Sequence, residues 1–290
     1  MMQGRLASSH LFIGPEGIGK RLTAITFAKA LNCEAGQFNS CDNCPSCLKI
    51  EKLQHADLHL VGEAEATKIE DIRRLQKDIS LKPYEAKVKV FIIDNAHNLT
   101  AEAANALLKI LEEPTANSAI ILISSKPALL FKTIISRCQI IKFSPLPRQE
   151  LEVILKKDYS LDTAYAHFLA YFCEGRLGFA LQLKDSDILN QRDRLINELS
   201  FQGLEGKEEI RFSLNMLAVW FRDVYLAKAG TSSEELINSD RHKELLKFTH
   251  NYSFGQLDKI FKTISDSLLY LEQNINTRLL LSNLSYVLKG

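Results

Sequence analysis

The sequence lacks the features of a membrane-bound, secreted or strongly nucleic-acid-binding protein. It has no apolar run near the roughly 20 residues that cross a bilayer, and too few apolar residues follow residues 1–5 to form a signal-peptide core. Its 36 Lys and Arg residues nearly balance its 35 Asp and Glu residues, so no strong overall field attracts nucleic acid or anionic lipid. We therefore predict a cytoplasmic protein without a membrane partner, and 290 residues allow two or three domains.

Glycine is scarce, with 13 residues in the whole chain, yet Gly14, Gly17 and Gly19 stand together just before Lys20. They follow a short apolar run and open a helical pattern, which is the strand–loop–helix context of a phosphate-binding loop. In such a loop the backbone N–H groups surround phosphate oxygens, and the helix dipole and Lys20 add positive charge. A Ser or Thr normally comes next and binds Mg²⁺, but here the residue is Arg21, which has no lone pair for a metal.

A second nucleotide motif ends the apolar run 88–93. Asp94 follows that run and is placed to hold Mg²⁺ through a water molecule. In an active ATPase of this type the next residue is usually Glu, the general base for the attacking water. Here it is Asn95, a neutral amide that cannot take the proton. Because Arg21 and Asn95 remove two parts of the same reaction, we predict that this chain does not hydrolyse ATP efficiently.

Four of the six cysteines lie in one polar loop, at Cys33, Cys41, Cys44 and Cys47. In a reducing compartment such clustering indicates a metal site more than disulfides. Four thiolates satisfy the tetrahedral preference of Zn²⁺ and leave no position for water, so the predicted site is structural. Free thiols, a redox switch and an iron–sulfur cluster remain open alternatives.

The pattern along the chain predicts an α/β region followed by an all-α region. Strands alternating with helices favour a parallel sheet with both faces covered, and functional residues then collect at the carboxyl ends of the strands, where Gly14, Asp94 and Ser125 fall. The predicted strands are 11–13, 58–61, 88–93, 119–123 and 139–143, and the predicted helices of this region are 22–31, 69–79 and 101–113, the last with Thr100 as its N-cap.

After Pro147 the strand signal disappears and only helical patterns follow. We predict three domains, with residues 1–146 as the α/β domain, 147–203 as a small helical domain and 204–290 as a second helical domain. The boundary between the helical domains is placed in the Gly-containing stretch 201–207. The predicted helices are 149–156, 161–172, 178–183, 187–199, 208–229, 241–251, 254–272 and 277–288.

Arg137 lies between Ser136 and Cys138, just before the last strand. An arginine at such a domain edge is able to neutralise charge on the nucleotide of a neighbouring subunit, as an arginine finger supplied in trans. Taken alone, an exposed arginine is usually a solvated surface charge, and it is the surrounding motifs that favour the finger.

Together these motifs resemble the bacterial clamp-loader subunits of the AAA+ family. The resemblance rests on the phosphate loop 14–20, the cysteine insert 33–47, the residues 94–97, the helix 104–114 (ANALLKILEEP) and the tripeptide 136–138. It covers about residues 5–145. The helical remainder agrees in length and class without a sharp motif.

The resemblance implies an AAA+ fold with a zinc-binding insert, a helical lid and a C-terminal helical collar. It assigns structural zinc to the four cysteines, the first nucleotide sensor to Ser125 and the trans finger to Arg137. In the lid, Gly178 stands where active members have a sensor arginine, although nearby Arg176 leaves the register open. These departures favour a non-hydrolysing subunit, with binding of ATP or ADP in doubt.

The function implied by the resemblance is that of a stator in a hetero-pentameric ring. Its partners would be the other clamp-loader subunits and, through them, the sliding clamp and primed DNA. A self-sufficient AAA+ ATPase is the first alternative. A zinc-dependent nucleic-acid-binding module is the second, although the cysteine loop carries Asp42 and only Lys49 and Lys52 follow it.

Overall fold

The computed structural model describes residues 8–36, 39–62, 67–115, 117–199, 201, 204, 206–273 and 277–289. The chain forms two compact units, Met1–Pro145 and Leu146–Gly290. Residues 202–203 and 205, in the predicted boundary between the helical domains, lie outside the described residues. That division of the helical part therefore stays a prediction.

The first unit is built on a five-stranded parallel sheet, as the alternating pattern predicts. Strands β3 (Lys89–Ile93) and β4 (Ser118–Ser124) are buried along their whole length and consist largely of Ile and other apolar residues, as expected for a sheet covered on both faces. The strand order is β2-β3-β4-β1-β5. The bounds are β1 Ser9–Ile13, β2 Leu58–Val61, β3 Lys89–Ile93, β4 Ser118–Ser124 and β5 Gln139–Lys142.

Helices cover the two faces of this sheet, because successive strand residues point to opposite sides. On one face, α1 and α2 supply Ala24, Ala28 and Ile50 to a core with strand residues such as Ile92. On the other face, α3, α4 and α5 pack against strand residues such as Phe91. The bounds are α1 Lys20–Asn32, α2 Pro45–Glu51, α3 Ile69–Ser80, α4 Ala101–Glu112 and α5 Lys132–Ile135.

Two short helices, α2 and α5, were not expected from the sequence. Helix α2 occupies seven residues of the cysteine loop, with Cys44 as its N-cap and Pro45 at its first position. Helix α5 has only four residues, too few for a periodic pattern to appear. The predicted N-cap of α4 is confirmed, since the Thr100 hydroxyl accepts from the backbone N–H of Ala103 at 3.2 Å.

The second unit contains helices only within its described residues, as predicted. They share one core around Trp220, which is 1% exposed and lies on the long helix α10. The bounds are α6 Arg148–Tyr159, α7 Thr163–Phe172, α8 Leu177–Leu183, α9 Ile188–Glu198, α10 Lys207–Lys228, α11 His242–Asn251, α12 Phe254–Glu272 and α13 Thr277–Lys289. Among the described residues, none of the helices combines the length and apolar character required to cross a bilayer.

A buried polar network ties α9 to the segment that precedes α11. The guanidinium of Arg192 is 1% exposed and binds both carboxylate oxygens of Asp240, at 2.9 and 2.7 Å. It also donates to Asn238 at 3.2 Å and lies 5.1 Å above the ring centre of Phe168. Asn238 donates from its amide side chain to the fully buried Asp223 at 2.8 Å. Burial raises the pKa of the Asp223 carboxyl, and the hydrogen bonds from Asn238 oppose that rise.

Candidate functional site: phosphate loop, cysteine cluster and Arg137

The phosphate loop follows β1, and Asp94 follows β3, so the two nucleotide motifs end strands on either side of β4. Gly17 and Gly19 have positive φ angles of 72° and 106°, which favour glycine. At Gly14 a Cβ atom would stand 2.5 Å from the carbonyl oxygen of Phe143. Glycine is therefore needed there for the close approach of the backbone.

Lys20 is turned onto its own loop. Its ammonium group donates to the carbonyl oxygens of Gly14 and Pro15, at 2.7 and 2.6 Å. Burial lowers the pKa of Lys20, while the negative charges of Asp94 and Glu16 oppose that shift. The group expected to bind phosphate is thus satisfied by carbonyl groups of the loop itself.

Arg21 points to Asp94, the second nucleotide motif. Its NH1 atom lies 3.9 Å from Oδ2 of Asp94, and the second carboxylate oxygen of Asp94 accepts from the backbone N–H of Asn95 at 2.9 Å. The residue that replaces the metal ligand is therefore an ion-pair partner of the carboxylate that would face the metal. Asn95 takes a left-handed conformation with φ of 47°, which asparagine tolerates better than most residues.

The end of β4 holds a polar contact that sequence reasoning missed. The buried hydroxyl of Ser124 lies 3.2 Å from Nδ1 of His97 and accepts from the backbone N–H of Lys126 at 3.1 Å. Burial lowers the pKa of His97, and the charge of Lys126 adds to this effect. The only sign of this contact in the sequence is that His97 lies three residues after Asp94, close to the end of a neighbouring strand. Ser125, the expected sensor, follows Ser124 and is half-buried; its role stays a prediction.

The four cysteines predicted to bind zinc do come together. Their sulfur atoms all lie within 4.8 Å of one another, in a cluster of Cys33, Cys41, Cys44 and Cys47. Backbone N–H groups support the arrangement, with Cys44 donating to the sulfur of Cys41 at 3.3 Å and Cys47 donating to that of Cys44 at 3.4 Å. Tetrahedral Zn²⁺ with bonds of about 2.3 Å places its sulfur ligands about 3.8 Å apart, which this cluster accommodates.

The acidity of the thiols also fits a divalent cation. Hydrogen bonds from the backbone of Glu34 and Cys47 lower the pKa of Cys44 to about 6. Burial raises the pKa of Cys47 to about 12, and a bound divalent cation would supply the positive charge that stabilises its thiolate. The donor set therefore fits a metal such as zinc.

Ion pairs fix the cysteine loop to the rest of the unit. The buried ammonium group of Lys29 on α1 donates to Asp42 at 3.0 Å and also pairs with Glu51. Lys49 pairs with Glu85 at 2.6 Å. Because these cations are already neutralised, the loop offers little of the basic surface that a nucleic-acid-binding module needs.

Arg137 lies in the turn between α5 and β5, with its side chain 34% exposed. Its Nε and NH2 atoms lie 2.9 and 2.6 Å from Oε1 of Glu112, and NH1 donates to the carbonyl oxygen of Thr133 at 3.0 Å. Large apolar side chains in the flanking segments are exposed, namely Leu129, Phe131, Ile140 and Ile141. Arg137 thus stands in a surface region that combines positive charge with exposed apolar area.

In the helical unit, both candidates for the second sensor lie at the start of α8. Arg176 caps α8, donates from Nε to the carbonyl oxygen of Cys173 at 2.9 Å and lies 4.8 Å over the ring of Phe179. Gly178 lies in the first turn of that helix. The assignment of Gly178 to the sensor position stays a prediction.

Comparison with known proteins places this geometry in a family. The family model described as "DNA polymerase III, delta subunit" matches residues 1–147, and the one described as "DNA polymerase III, delta subunit, C terminal" matches residues 186–288. DNA polymerase III subunit delta′ of Bacillus subtilis (strain 168) is 30% identical, over 98% of this chain and 92% of that protein. The chain belongs to the DNA polymerase III delta′ family. It is a clamp-loader-type subunit, and the resemblance read from the sequence is confirmed.

Relatives of this delta′-family chain include other subunits of the same enzyme. The tau subunit of Escherichia coli (strain K12) is 37% identical over 64% of this chain and 30% of its own length. A solved structure of a DNA polymerase III gamma subunit-related protein from Thermotoga maritima is similar in fold, with a TM-score of 0.55 over 97% of this chain and 94% of that one, at 16% identity. The expected AAA+ architecture with a C-terminal helical region is confirmed.

Proposed function

We propose that this chain is a non-hydrolysing stator subunit of the DNA polymerase III clamp loader. In this proposal it occupies one position of a hetero-pentameric ring, and its helices 204–290 join a collar with the other subunits. ATP hydrolysed by neighbouring subunits drives the ring to load the sliding clamp on primed DNA. One observation supports this above all, the contrast between a phosphate loop bonded to itself through Lys20 and an arginine, Arg137, exposed at the surface.

The first part of the proposal concerns the chain's own nucleotide site. A bound phosphate would have to take Lys20 from the carbonyl groups of Gly14 and Pro15, and Mg²⁺ would have to take Asp94 from Arg21. A nucleotide bound with Mg²⁺ would have to break both sets of contacts, so we infer weak or no binding of ATP or ADP. Asn95 then leaves no general base for hydrolysis.

The second part assigns Arg137 as an arginine finger that acts in trans. A guanidinium that reaches a neighbour's nucleotide has to lie at a subunit interface, and exposed apolar groups are typical of surfaces that a partner covers. Phe131 and Ile140, which are 43% exposed each, lie within six residues of Arg137 along the chain. Charge on the transferred phosphoryl group is what such an arginine stabilises.

The third part assigns structural zinc to Cys33, Cys41, Cys44 and Cys47. The four thiolates would fill the coordination sphere, so the metal would stabilise the loop after α1 and take no part in nucleotide chemistry. Lys29 would hold the loop from the side of α1 through Asp42.

The decisive experiment is reconstitution of the clamp loader with Arg137→Ala. A finger in trans contributes about 10³–10⁵ in kcat at the site it completes, so this variant should silence one neighbouring site and reduce the DNA-stimulated ATPase activity of the complex. Lys132→Ala, which removes an exposed charge from the same segment, is the matched control and should leave that activity unchanged. Full activity with Arg137→Ala would refute the finger.

The same preparation separates the proposal from a self-sufficient ATPase. The isolated chain is expected to show no ATP turnover above the background rate. Turnover by the isolated chain that survives Arg137→Ala would favour the self-sufficient ATPase instead.

A further inference from the structure

Arg137 is held by its own chain, although its role in the proposal above requires it to reach another. A guanidinium has five N–H groups. Oε1 of Glu112 faces Nε and NH2 at 2.9 and 2.6 Å, while Thr133 O and Ser136 Oγ face NH1 at 3.0 and 3.4 Å. Most of the hydrogen-bonding capacity of the guanidinium is therefore used within the chain.

Glu112 occupies an edge of the guanidinium that an oxyanion would also bind. The Nε and NH2 groups form one of the parallel pairs of donors that bind a carboxylate or phosphate. A phosphoryl group that approaches this edge meets the Glu112 carboxylate first, and the two anions repel each other. Glu112 and a phosphoryl group are thus competitors for the same donors.

The position of Glu112 is not explained by the stability of its helix. It is the last residue of α4, where a negative charge opposes the helix dipole. Its side chain is 48% exposed and its carboxylate faces Arg137. The observation that accounts for this carboxylate is its contact with the guanidinium.

We propose that Glu112 is a releasable latch on the arginine finger. In the free subunit the carboxylate holds Arg137 against α4 and α5, and the phosphates of the neighbour's nucleotide displace it when the ring assembles. This regulation rests on the trans role of Arg137 proposed above. The latch is weak, because a pair exposed to this degree shifts an equilibrium by at most about fivefold and is screened by salt.

The test uses the reconstituted clamp loader at a subsaturating ATP concentration. Glu112→Gln removes the competing charge and should raise the DNA-stimulated ATPase rate about two- to fivefold. Glu112→Asp keeps the charge and should stay near the wild-type rate. Glu113→Gln changes the next residue, for which the structure records no side-chain hydrogen bond or ion pair in the described part of the chain, and should have no effect.

A second measurement reads the contact directly in the isolated chain. The Nε–H group of Arg137, followed by ¹⁵N NMR, should exchange with solvent faster in Glu112→Gln and not in Glu113→Gln. Equal exchange in the two variants would overturn the latch, as would an unchanged or lower ATPase rate with Glu112→Gln.

Failure of the latch is distinguishable from failure of the proposed function. If Arg137→Ala leaves the ATPase of the complex intact, the trans role itself is wrong. If Arg137→Ala lowers the rate but Glu112→Gln does not raise it, only the latch is wrong. In the double variant the gain from Glu112→Gln should vanish, since the carboxylate then has no finger to hold.

Discussion

Two arginines of this chain are each bound by a carboxylate, and they illustrate opposite uses of the same chemistry. Arg192 in the helical unit is 1% exposed and binds both oxygens of Asp240. Arg137 in the α/β unit is 34% exposed and contacts one oxygen of Glu112. In the first pair the guanidinium is buried and fully bonded, whereas in the second both charged groups are open to water and to partners.

The difference lies in the cost of release. Separating a buried ion pair leaves a charge without water or partner, which is strongly destabilising. Separating an exposed pair returns both charges to water and changes the free energy by about 0–1 kcal/mol. Arg192 is therefore suited to fix a fold, and Arg137 is suited to exchange one partner for another.

The largest expected effect comes from removing the buried arginine. Arg192→Leu leaves the Asp240 carboxylate and the Asn238 amide oxygen without their guanidinium partner, while Asp193 keeps its ion pair with Arg241. The variant should lower the free energy of unfolding by about 3–4 kcal/mol, toward the lower end of the range for a broken buried ion pair, because Asp240 is 23% exposed. Denaturant unfolding monitored by the fluorescence of Trp220, which lies in the same core, measures this change. Arg137→Leu is the matched control and should change stability by less than about 1 kcal/mol. If the two variants lost similar free energies of unfolding, the proposed difference between the buried and the exposed arginine would be wrong.

Lys29 is an intermediate case that sharpens the comparison. Its side chain is 9% exposed, but its partners Asp42 and Glu51 are 63% and 54% exposed. Lys29→Met keeps the buried stem and removes the charge, and should lower the free energy of unfolding by about 1.5–3 kcal/mol, because hydrogen bonds to charged groups contribute in this range. The exposed carboxylates return to water, so the loss should stay below that of Arg192→Leu.

Metal analysis of the same variant tests how the cysteine loop is held. If the four cysteines hold zinc as proposed, Lys29→Met should retain the metal but release it to a chelator faster than the wild type, because Asp42 lies between two of the four cysteines. Lys52→Met, which removes an exposed cation just after α2 that takes part in neither of these ion pairs, should leave the release rate unchanged. A Lys29→Met chain that releases zinc at the wild-type rate would show that the loop does not depend on this ion pair.

Much of the fold was predictable because it depends on patterns of neighbouring residues that a single sequence shows. The apolar runs of β3 and β4, the helix of Thr100 and the four-cysteine spacing were all visible in the sequence, and each is present in the structure. Helix α2 was missed because seven residues anchored by Cys44 give no amphipathic period.

The contacts that distinguish the two arginines were not predictable. Arg192 and Asp240 lie 48 positions apart, and Glu112 and Arg137 lie 25 apart. Pairing at such separations follows from how helices pack, which single-sequence patterns do not encode. The same holds for Lys20 and Arg21, since the sequence shows that a metal ligand is missing but not that Arg21 faces Asp94.

The smallest expected effect concerns His97, a group whose charge, unlike that of an arginine, depends on pH near neutrality. Burial lowers its pKa in the folded chain below the ordinary value of 6.5, so the unfolded chain binds the proton more readily. Stability attributable to His97 is then fully present above about pH 6.5 and is lost as the pH falls toward the lowered value.

His97→Gln, which keeps a polar side chain near Ser124, should flatten the decline in unfolding free energy between pH 7 and pH 5. If the dependence of unfolding free energy on pH is the same in His97→Gln as in the wild type, the contact with Ser124 tolerates the charged imidazole. Breaking that contact would then cost little free energy, as we expect for the Arg137–Glu112 pair.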